Sequence, residues 1–334
     1  MMGDCRMKKV VLSGMRPTGR LHLGNYFGAL ENWVALQDEY ECNFFVADWH
    51  AFTTGYSDTK GLAETSREMV VDWISSGLDP VRCTMFVQSA VKEHAELCLL
   101  LSMITPLSWL TRCPTYKDVL AQMKDSEIAT HGFLGYPCLQ AADILMYNAD
   151  FVPVGEDQLP HLELSREIAR RFNHIYGDTF KEPQALLTEA KVLAGTDGRK
   201  MSKSYDNTIM LSDSPDEVKK KVMTMITDPA RIRKDDPGHP EVCSVFSLHK
   251  ILGSVQELEG DCRSGKIGCV QCKRNLADKL CERVAPIYNK RCELAKKPEI
   301  VMDVLAEGTR RATEKAQKMM GVVREAMHII ELDM

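Results

Sequence analysis

The sequence predicts an α/β protein in which a doubly wound parallel sheet is followed by an α-helical domain. Short apolar segments alternate with segments of helical periodicity in the first part of the chain, as is typical of β-α-β units. From Ser214 onward the periodicity is helical, with no convincing strand. We therefore expect a first domain over 1–195 and a second over 196–334.

The elements follow from local patterns. The expected strands cover 8–14, 42–48, 84–88 and 151–154. The expected helices cover 24–39, 59–76, 94–104, 139–147, 159–172, 271–295 and 298–330. Ser214-Pro215-Asp216-Glu217 predicts a further helix start, since Ser caps, Pro fits the first turn and a carboxylate stands at the third position.

Composition excludes several classes of protein. With 44% hydrophobic and 27% charged residues among 334, the chain is typical of a globular protein of two domains or one large one. The net charge of −5 argues against a protein that coats nucleic acid. Residues 1–180 carry a net charge of −8 and residues 181–334 carry +3, so the second half is better suited to meet a polyanion.

The sequence also indicates a compartment. No uncharged apolar stretch is long enough to cross a bilayer, and the apolar run after Lys9 is too short for a signal peptide. We expect a cytoplasmic protein without a membrane partner, whose twelve cysteines are thiols or metal ligands rather than disulfides.

The first candidate motif, PTGRLHLGN over Pro17–Asn25, stands where the first strand meets the first helix. Nucleotides bind at such junctions, because helix N-terminal amides face the phosphates. The glycines allow a close backbone approach. The motif is not G-x-G-x-x-G, which disfavours a dehydrogenase. Taken alone, it is better explained as a turn with a capped histidine.

The second motif is Lys200-Met201-Ser202-Lys203-Ser204, in a loop that begins at Gly195. Two lysines three positions apart are suited to hold a triphosphate and to neutralise the charge on leaving pyrophosphate. Taken alone, they are better explained as a solvated basic loop.

Together the motifs are more specific. His22-Leu23-Gly24-Asn25 resembles the HIGH signature of class I aminoacyl-tRNA synthetases, and Lys200–Ser204 matches their KMSKS signature. Over nearly the whole chain the resemblance narrows to the tryptophanyl-tRNA synthetases. The stretches that carry it are Ser13–Gly19, Leu21–Tyr26, Val46–Ala51, Ala141–Leu145, Val152–Gln158 and His161–Leu164. It implies a Rossmann-type catalytic domain and an α-helical anticodon-binding domain.

The resemblance implies residue roles. The catalytic residues would be His22, Asn25, Lys200 and Lys203. ATP would contact Met15, Arg16, Pro17, Gly24, Asn25, Gly155, Glu156, Asp157, Val192, Lys200, Met201, Ser202, Lys203 and Ser204. The amino-acid site would contain Tyr136, Gln140, Asp143 and Gln158. Tyr136 and Gln158 would hold the α-ammonium, and Asp143 would accept the indole N–H. Asp143 lies on an apolar helix, and a buried carboxylate requires either a ligand N–H or a structural partner.

Two positions depart from the family pattern. Position 140 is Gln where many members have Met, and position 16 is Arg where Gln is common. The spacing Tyr136-x3-Gln140-x2-Asp143 is similar to the tyrosine pocket of the tyrosyl enzymes. A tyrosyl-tRNA synthetase therefore stays an alternative. So does a paralogue that binds tRNA without aminoacylation, although such a protein is expected to lose the signature lysines.

Cys243, Cys262, Cys269 and Cys272 form a C-x18-C-x6-C-x2-C pattern that predicts a metal site. The alternative is that these cysteines are small core residues. Some bacterial tryptophanyl enzymes carry a four-iron cluster on a similar pattern, which favours 4Fe–4S over zinc. Nearby Lys266, Lys273 and Arg274 suit phosphate contact or a solvated face equally.

The implied reaction has two steps. The substrate carboxylate attacks the α-phosphate of ATP, with Mg²⁺ bridging phosphate oxygens, and forms tryptophanyl-adenylate and pyrophosphate. The 2′-OH of tRNA(Trp) then takes the aminoacyl group. The carboxylate is already an anion, so the first step depends on positioning and charge stabilisation rather than on a general base. The family also suggests a homodimer.

Overall fold

A computed structural model describes residues 8–113, 116–117, 130–187, 192–233, 235–253 and 255–330. The described residues contain one five-stranded parallel sheet in the order β3-β2-β1-β4-β5. Its strands are β1 (Val10–Met15), β2 (Glu41–Val46), β3 (Cys83–Val87), β4 (Phe151–Val154) and β5 (Gln184–Leu187). The predicted α/β class is confirmed, and the four predicted strands form within one to two residues of their expected bounds.

The strand order creates a switch point. The chain builds β1, β2 and β3 toward one edge and then returns to place β4 on the other side of β1. Between β1 and β4 only Val11 and Phe151 are paired. The two strands therefore separate toward their carboxyl ends, where open α/β sheets bind ligands.

Helices cover both faces of the sheet and make up the second half of the molecule. They are α1 (Leu23–Asn25), α2 (Glu31–Glu39), α3 (Asp48–Gly55), α4 (Leu62–Ser75), α5 (Glu93–Ile104), α6 (Leu107–Thr111), α7 (His131–Met146), α8 (Leu159–Tyr176), α9 (Pro215–Thr224), α10 (Ser244–Leu252), α11 (Gln256–Arg263), α12 (Cys269–Leu294) and α13 (Pro298–Ala326). Helix α9 begins as predicted, with Ser214 and Glu217 in a reciprocal capping box.

Several elements differ from expectation. Helix α7 begins at His131 rather than at 139, and α3 and α6 were not predicted. The helix predicted over 24–39 is interrupted by a wide π turn at Tyr26–Leu30. Strand β5 was not predicted, because it is only four residues long and lies half-exposed at the sheet edge. The second half contains no strand among its described residues, as expected.

Close packing fixes the core around β1 and β2. Phe45 on β2 lies against Gly14, where an added Cβ would come within 2.4 Å of the phenyl ring. Only glycine allows this approach, so β1 can pass directly under an aromatic side chain. On the opposite face Phe44 stacks on Trp33 with ring centroids 4.4 Å apart. Burial of each such ring contributes roughly 1.5–3 kcal/mol.

The C-terminal helices pack against the sheet domain. Helix α13 crosses β3 so closely that a Cβ on Gly308 would lie 1.7 Å from the Met85 carbonyl oxygen. Helix α12 packs between α4 and α9. The boundary at 195/196 stays a prediction, since apolar side chains from both halves share one buried cluster. None of the described helices combines the length and hydropathy needed to cross a bilayer.

Candidate active site

A cavity of about 530 Å³ opens at the switch point between β1 and β4. Seven of the predicted site residues line it: Met15, Arg16, Tyr136, Gln140, Asp143, Gly155 and Gln158. Its remaining wall is largely apolar and includes Phe45, Phe133 and Val154. The cavity thus combines apolar walls with a few convergent polar groups, as small-molecule sites do.

The first signature motif is fixed by its own side chains. His22 Nδ1 accepts a hydrogen bond from the Gly24 N–H at 3.0 Å, and the His22 N–H donates to Asn25 Oδ1 at 3.1 Å. Burial, together with the charge on Lys203, lowers the pKa of His22 to about 4. The ring is therefore neutral at pH 7, with the proton on Nε2 as a donor. His22 therefore caps the turn through Nδ1 and leaves Nε2–H as a donor, so the capping interpretation and the predicted catalytic role are compatible.

The lysine loop reaches the first motif. Lys203 Nζ donates to the Thr18 carbonyl oxygen, although 185 positions separate the two residues. Burial lowers the pKa of Lys203, while Asp72 acts in the opposite direction. Lys200 is exposed. The structure therefore brings Lys203 to His22, and Lys200 stays at the surface of the loop.

Asn207 holds this loop and was not predicted. Its buried side chain accepts from the Ser202 N–H at 2.8 Å and donates to Asp197 Oδ1 at 2.6 Å and the Lys200 carbonyl at 3.2 Å. Met201 is buried beneath the loop. The predicted ATP residues Val192 and Ser204 are exposed. The sequence signal that could have indicated this role is an asparagine three residues after the motif, because Asn side chains often hydrogen-bond to nearby backbone in turns.

Asp143 is surrounded by protein donors. Gln88 Nε2 donates to both carboxylate oxygens at 2.8 and 2.9 Å. His50 Nε2 lies 2.8 Å from Oδ2, and His94 Nδ1 lies 2.6 Å from Oδ1. Burial acts to raise the pKa of Asp143, but the hydrogen bonds from the two histidines lower it below its usual range. The sequence required either a ligand N–H or a protein partner for this carboxylate, and the structure shows protein partners.

Tyr136 and Gln158 also have protein partners. The Tyr136 hydroxyl lies 3.1 Å from His161 Nε2, and Cys113 Sγ lies 3.5 Å from His161 Nδ1. Burial acts to raise the pKa of Cys113, but the His161 hydrogen bond and charge lower it. Gln158 Nε2 donates to Asp157 Oδ2 at 2.8 Å.

The predicted ribose residues lie where β4 ends. Gly155 precedes a single 3-10 turn over Glu156–Gln158. Arg16 follows β1, and its Nη2 donates to Thr54 Oγ1 at 2.7 Å. Burial lowers the pKa of Arg16. Because Thr54 is a neutral partner, the charge of the Arg16 guanidinium is not neutralised by this hydrogen bond and can attract an anion.

The four patterned cysteines lie in the helical half. Cys243, Cys262 and Cys272 are buried and Cys269 is half-buried. Burial and the neighbouring thiols raise the pKa of Cys272 to about 12. Across the described residues, no group of three or more His, Cys, Asp or Glu side chains is placed to hold a metal ion. Cys5 lies outside those residues.

Comparisons with known proteins agree with this geometry. A family model described as tRNA synthetases class I (W and Y) matches residues 6–285. The chain belongs to this family. A tryptophan--tRNA ligase of Thermotoga maritima is 51% identical, over 96% of this synthetase and 99% of that chain. One of Aquifex aeolicus is 49% identical with the same coverage.

Solved structures share the fold of this synthetase. Tryptophanyl-tRNA synthetase of Campylobacter jejuni, complexed with ADP and tryptophan, has a TM-score of 0.84 at 35% identity and covers 96% of this chain and 99% of its own. Tyrosyl-tRNA synthetase of Archaeoglobus fulgidus has a TM-score of 0.67 at 23% identity, a likeness of fold alone. The predicted Rossmann-type domain followed by a helical domain is therefore confirmed, and the chain is a class I aminoacyl-tRNA synthetase.

Proposed function

We propose that this synthetase is a tryptophan--tRNA ligase, which activates L-tryptophan with ATP and transfers it to the 2′-OH of tRNA(Trp). Identity of 40–51% to curated tryptophan--tRNA ligases over nearly the whole chain supports this activity. The observation that carries it in the structure is the cavity at the switch point. Its apolar wall suits an indole, and the two signature motifs meet beside it.

In the first step the tryptophan carboxylate attacks the α-phosphate of ATP, and pyrophosphate leaves. The His22 Nε2–H and the Asn25 side chain donate to phosphate oxygens. Lys203 and Lys200 neutralise the charge that develops on the leaving pyrophosphate. Met15, Pro17, Gly24 and the 201–204 backbone would line the nucleotide, and Gly155–Asp157 would meet the ribose.

Mg²⁺ would shield the phosphate oxygens when ATP binds. Two carboxylates that contact the first motif, Glu68 and Asp72, are already paired with Arg20, Arg291 and the Leu21 N–H. We therefore expect the ion to be held by phosphate oxygens and water rather than by protein carboxylates.

Asp143 would accept the indole N–H, while its neighbours Gln88, His50 and His94 hold it ionised and in place. Tyr136 and Gln158 would contact the α-ammonium. Gln140 lies in the same cavity, one turn before Asp143. With tyrosine as substrate, Gln140 and Asp143 would instead meet the phenolic hydroxyl.

ATP–pyrophosphate exchange with tryptophan and tyrosine in parallel tests the proposal, followed by charging of tRNA(Trp). We expect exchange with tryptophan alone. Exchange with tyrosine alone would assign the enzyme to the tyrosyl branch. Exchange with neither would contradict both and would favour a tRNA-binding paralogue.

Lys203→Ala tests the role of the lysine loop. We expect adenylate formation to slow by roughly 10²–10³-fold, the usual cost of losing one charge-stabilising donor, with little change in tryptophan affinity. Single-turnover adenylate formation measures the rate. Lys220→Ala, on the exposed face of α9, is the control. An unaltered rate for Lys203→Ala would remove this lysine from the mechanism.

We further propose that Cys243, Cys262, Cys269 and Cys272 hold a 4Fe–4S cluster that braces the anticodon-binding region, with Zn²⁺ as the alternative. The thiols lie close enough to raise one another's pKa, and thiolates are the ligands of both groups. The cluster would supply structure rather than chemistry in aminoacylation.

Anaerobic purification distinguishes these groups. A brown protein with broad absorbance near roughly 400 nm is expected, with loss of colour in Cys272→Ser. Cys281→Ser, on the same helix but outside the pattern, should keep the colour. Colourless protein with one bound zinc would support the alternative, and metal-free protein of undiminished thermal stability would contradict both.

We also propose a cytoplasmic homodimer. Helices α5 and α6 expose the apolar side chains of Leu99, Met103 and Leu107, which are 57%, 71% and 69% accessible. Contiguous exposed apolar side chains mark association surfaces. Light scattering should give twice the 37.6 kDa chain mass, and Met103→Glu should lower it. A wild-type mass equal to one chain would contradict the dimer.

A further inference from the structure

A buried ionic cluster links helix α12 to the first signature motif. Asp72 and Glu68 lie one turn apart on α4, and Arg291 lies in the last turn of α12. Arg291 Nη2 donates to Glu68 Oε2, and its Nε lies 3.3 Å from Asp72 Oδ1. Arg291 and Asp72 are both buried. One guanidinium from the helical half therefore holds two carboxylates of the sheet domain.

Both carboxylates reach the segment that precedes His22. Asp72 Oδ2 accepts from the Leu21 N–H at 2.7 Å, and Glu68 Oε2 accepts from Arg20 Nε at 2.6 Å. The contacts of Asp72 use separate oxygens, one for the backbone and one for Arg291. The Leu21 backbone is thus tied to Asp72 by a hydrogen bond, and Asp72 is tied to Arg291 by an ion pair.

The opposite side of this segment is held by the chain that follows the lysine loop. The Leu211 N–H donates to the Leu21 carbonyl at 2.8 Å, and the Leu23 N–H donates to the Ile209 carbonyl at 2.9 Å. Leu21 is therefore held at both its backbone groups, by Leu211 on one side and Asp72 on the other. His22 lies between Leu21 and Leu23, so its backbone position follows from theirs.

We propose that Arg291 is a positioning residue for adenylate formation, which acts through Asp72 and Glu68 to fix the Leu21 backbone and, with it, the His22 ring. The inference rests on the proposed function. It assigns a role in ATP activation to a residue of the helical domain that lies 269 positions from His22. Loss of Arg291 should misplace a phosphate donor and leave the amino-acid cavity intact, since Arg291 does not line that cavity.

Arg291→Met, Arg291→Lys and Lys290→Met test the assignment. Lys290 is the matched control, because it is the neighbouring cation on the same helix but is exposed. We expect Arg291→Met to lower kcat of ATP–pyrophosphate exchange by about 10–100-fold, with KM for tryptophan within about twofold. Arg291→Lys should be intermediate, because an ammonium cannot span both carboxylates as a guanidinium does. Lys290→Met should match wild type.

Hydrogen exchange provides a readout independent of catalysis. Amide protons in peptides that cover residues 18–25 should exchange faster in Arg291→Met than in Lys290→Met. If wild type lacks ATP–pyrophosphate exchange with tryptophan, the proposed function fails, and the hydrogen-exchange measurement still tests the positioning. An unchanged hydrogen-exchange rate at Leu21, together with a wild-type kcat in Arg291→Met, would overturn the inference.

If Arg291→Met does not fold, the double variant Arg291→Met/Asp72→Asn removes both buried charges together. We expect it to fold, as judged by cooperative thermal unfolding, and to remain slow in adenylate formation with normal tryptophan binding. A wild-type rate in the double variant would overturn the positioning role.

Discussion

Asp72 and Asp143 are both carboxylates on helices beside the sheet. They are 0% and 1% exposed, yet their pKa values are shifted in opposite directions. Burial raises the pKa of Asp72 to about 6, against the opposing effects of Arg291 and the Leu21 N–H. Burial acts on Asp143 in the same sense, but the hydrogen bonds from His50 and His94 lower its pKa. The donors around a carboxylate, rather than its burial, decide its charge.

The difference follows from the partners of each carboxylate. Asp143 is held by three side chains, and its lowered pKa keeps it ionised at neutral pH where it lines the cavity at the switch point. Asp72 accepts one hydrogen bond, from the Leu21 N–H, and its other oxygen forms an ion pair with Arg291 without a hydrogen bond. These two contacts are not enough to compensate fully for desolvation.

The largest effect is expected for Asp143→Ala. The substitution leaves the donors of Gln88, His50 and His94 buried without their acceptor, which should cost about 3–5 kcal/mol in the free energy of unfolding. Urea denaturation measures it. Gln140→Met, one turn earlier on α7, is the control and should change stability by less than about 1 kcal/mol. Equal losses in both variants would mean that the donors around Asp143 contribute little.

Sequence patterns predicted those elements whose residues carry a local pattern, such as an apolar run or a capping box. Apolar runs predicted β1 to β4, and the capping residues predicted α9. Strand β5 escaped because it is short and half-exposed at the sheet edge. The signature motifs predicted a nucleotide site, and the residues assigned to it stay a prediction; the structure brings the two motifs together through Lys203 and Thr18.

The partners of the buried carboxylates were beyond such patterns. Asp143 was recognised as a charge on an apolar helix. Asp72, in the equally apolar run Met69–Ile74, gave the same signal and was overlooked. Its partner Arg291 lies 219 positions away, and only the packing of α12 on α4 brings them together. Long-range pairing is set by tertiary structure, which local periodicity does not encode.

A smaller effect is expected from the titration of Asp72. Its folded pKa of about 6 lies above the usual 3.8, so its contribution to stability is present at low pH and is lost as the pH rises through 6. The groups that face it are Arg291, Glu68, Arg20 and Lys203. Between pH 5 and 7.5 wild type should lose about 1.4 kcal/mol relative to Asp72→Asn.

Urea denaturation of both proteins across this pH range measures the difference. Glu307→Gln is the matched control, because the Arg310 hydrogen bond lowers the pKa of Glu307, so that carboxyl stays ionised throughout the range and adds no slope. A constant difference between wild type and Asp72→Asn would show that Arg291 compensates fully for the burial of Asp72.

The smallest effect is expected at the outer end of the Asp143 cluster. His94 Nε2 lies 2.8 Å from the Tyr147 hydroxyl. Burial and the Asp143 charge hold the pKa of Tyr147 well above its usual value, so the hydroxyl stays protonated and donates a hydrogen bond to His94 Nε2. Tyr147→Phe removes this donor and should cost about 1 kcal/mol in the free energy of unfolding.

The same substitution tests how the charge of Asp143 is maintained. A donor at Nε2 fixes His94 as the tautomer that carries its proton on Nδ1, where it points at the carboxylate. In Tyr147→Phe we expect NMR to show a faster-exchanging Nδ1 proton, with tryptophan affinity within about threefold of wild type. If the tautomer and the Nδ1 proton are unchanged, Asp143 alone orients the ring, and the lowered pKa of the carboxyl needs only the two histidines that touch it.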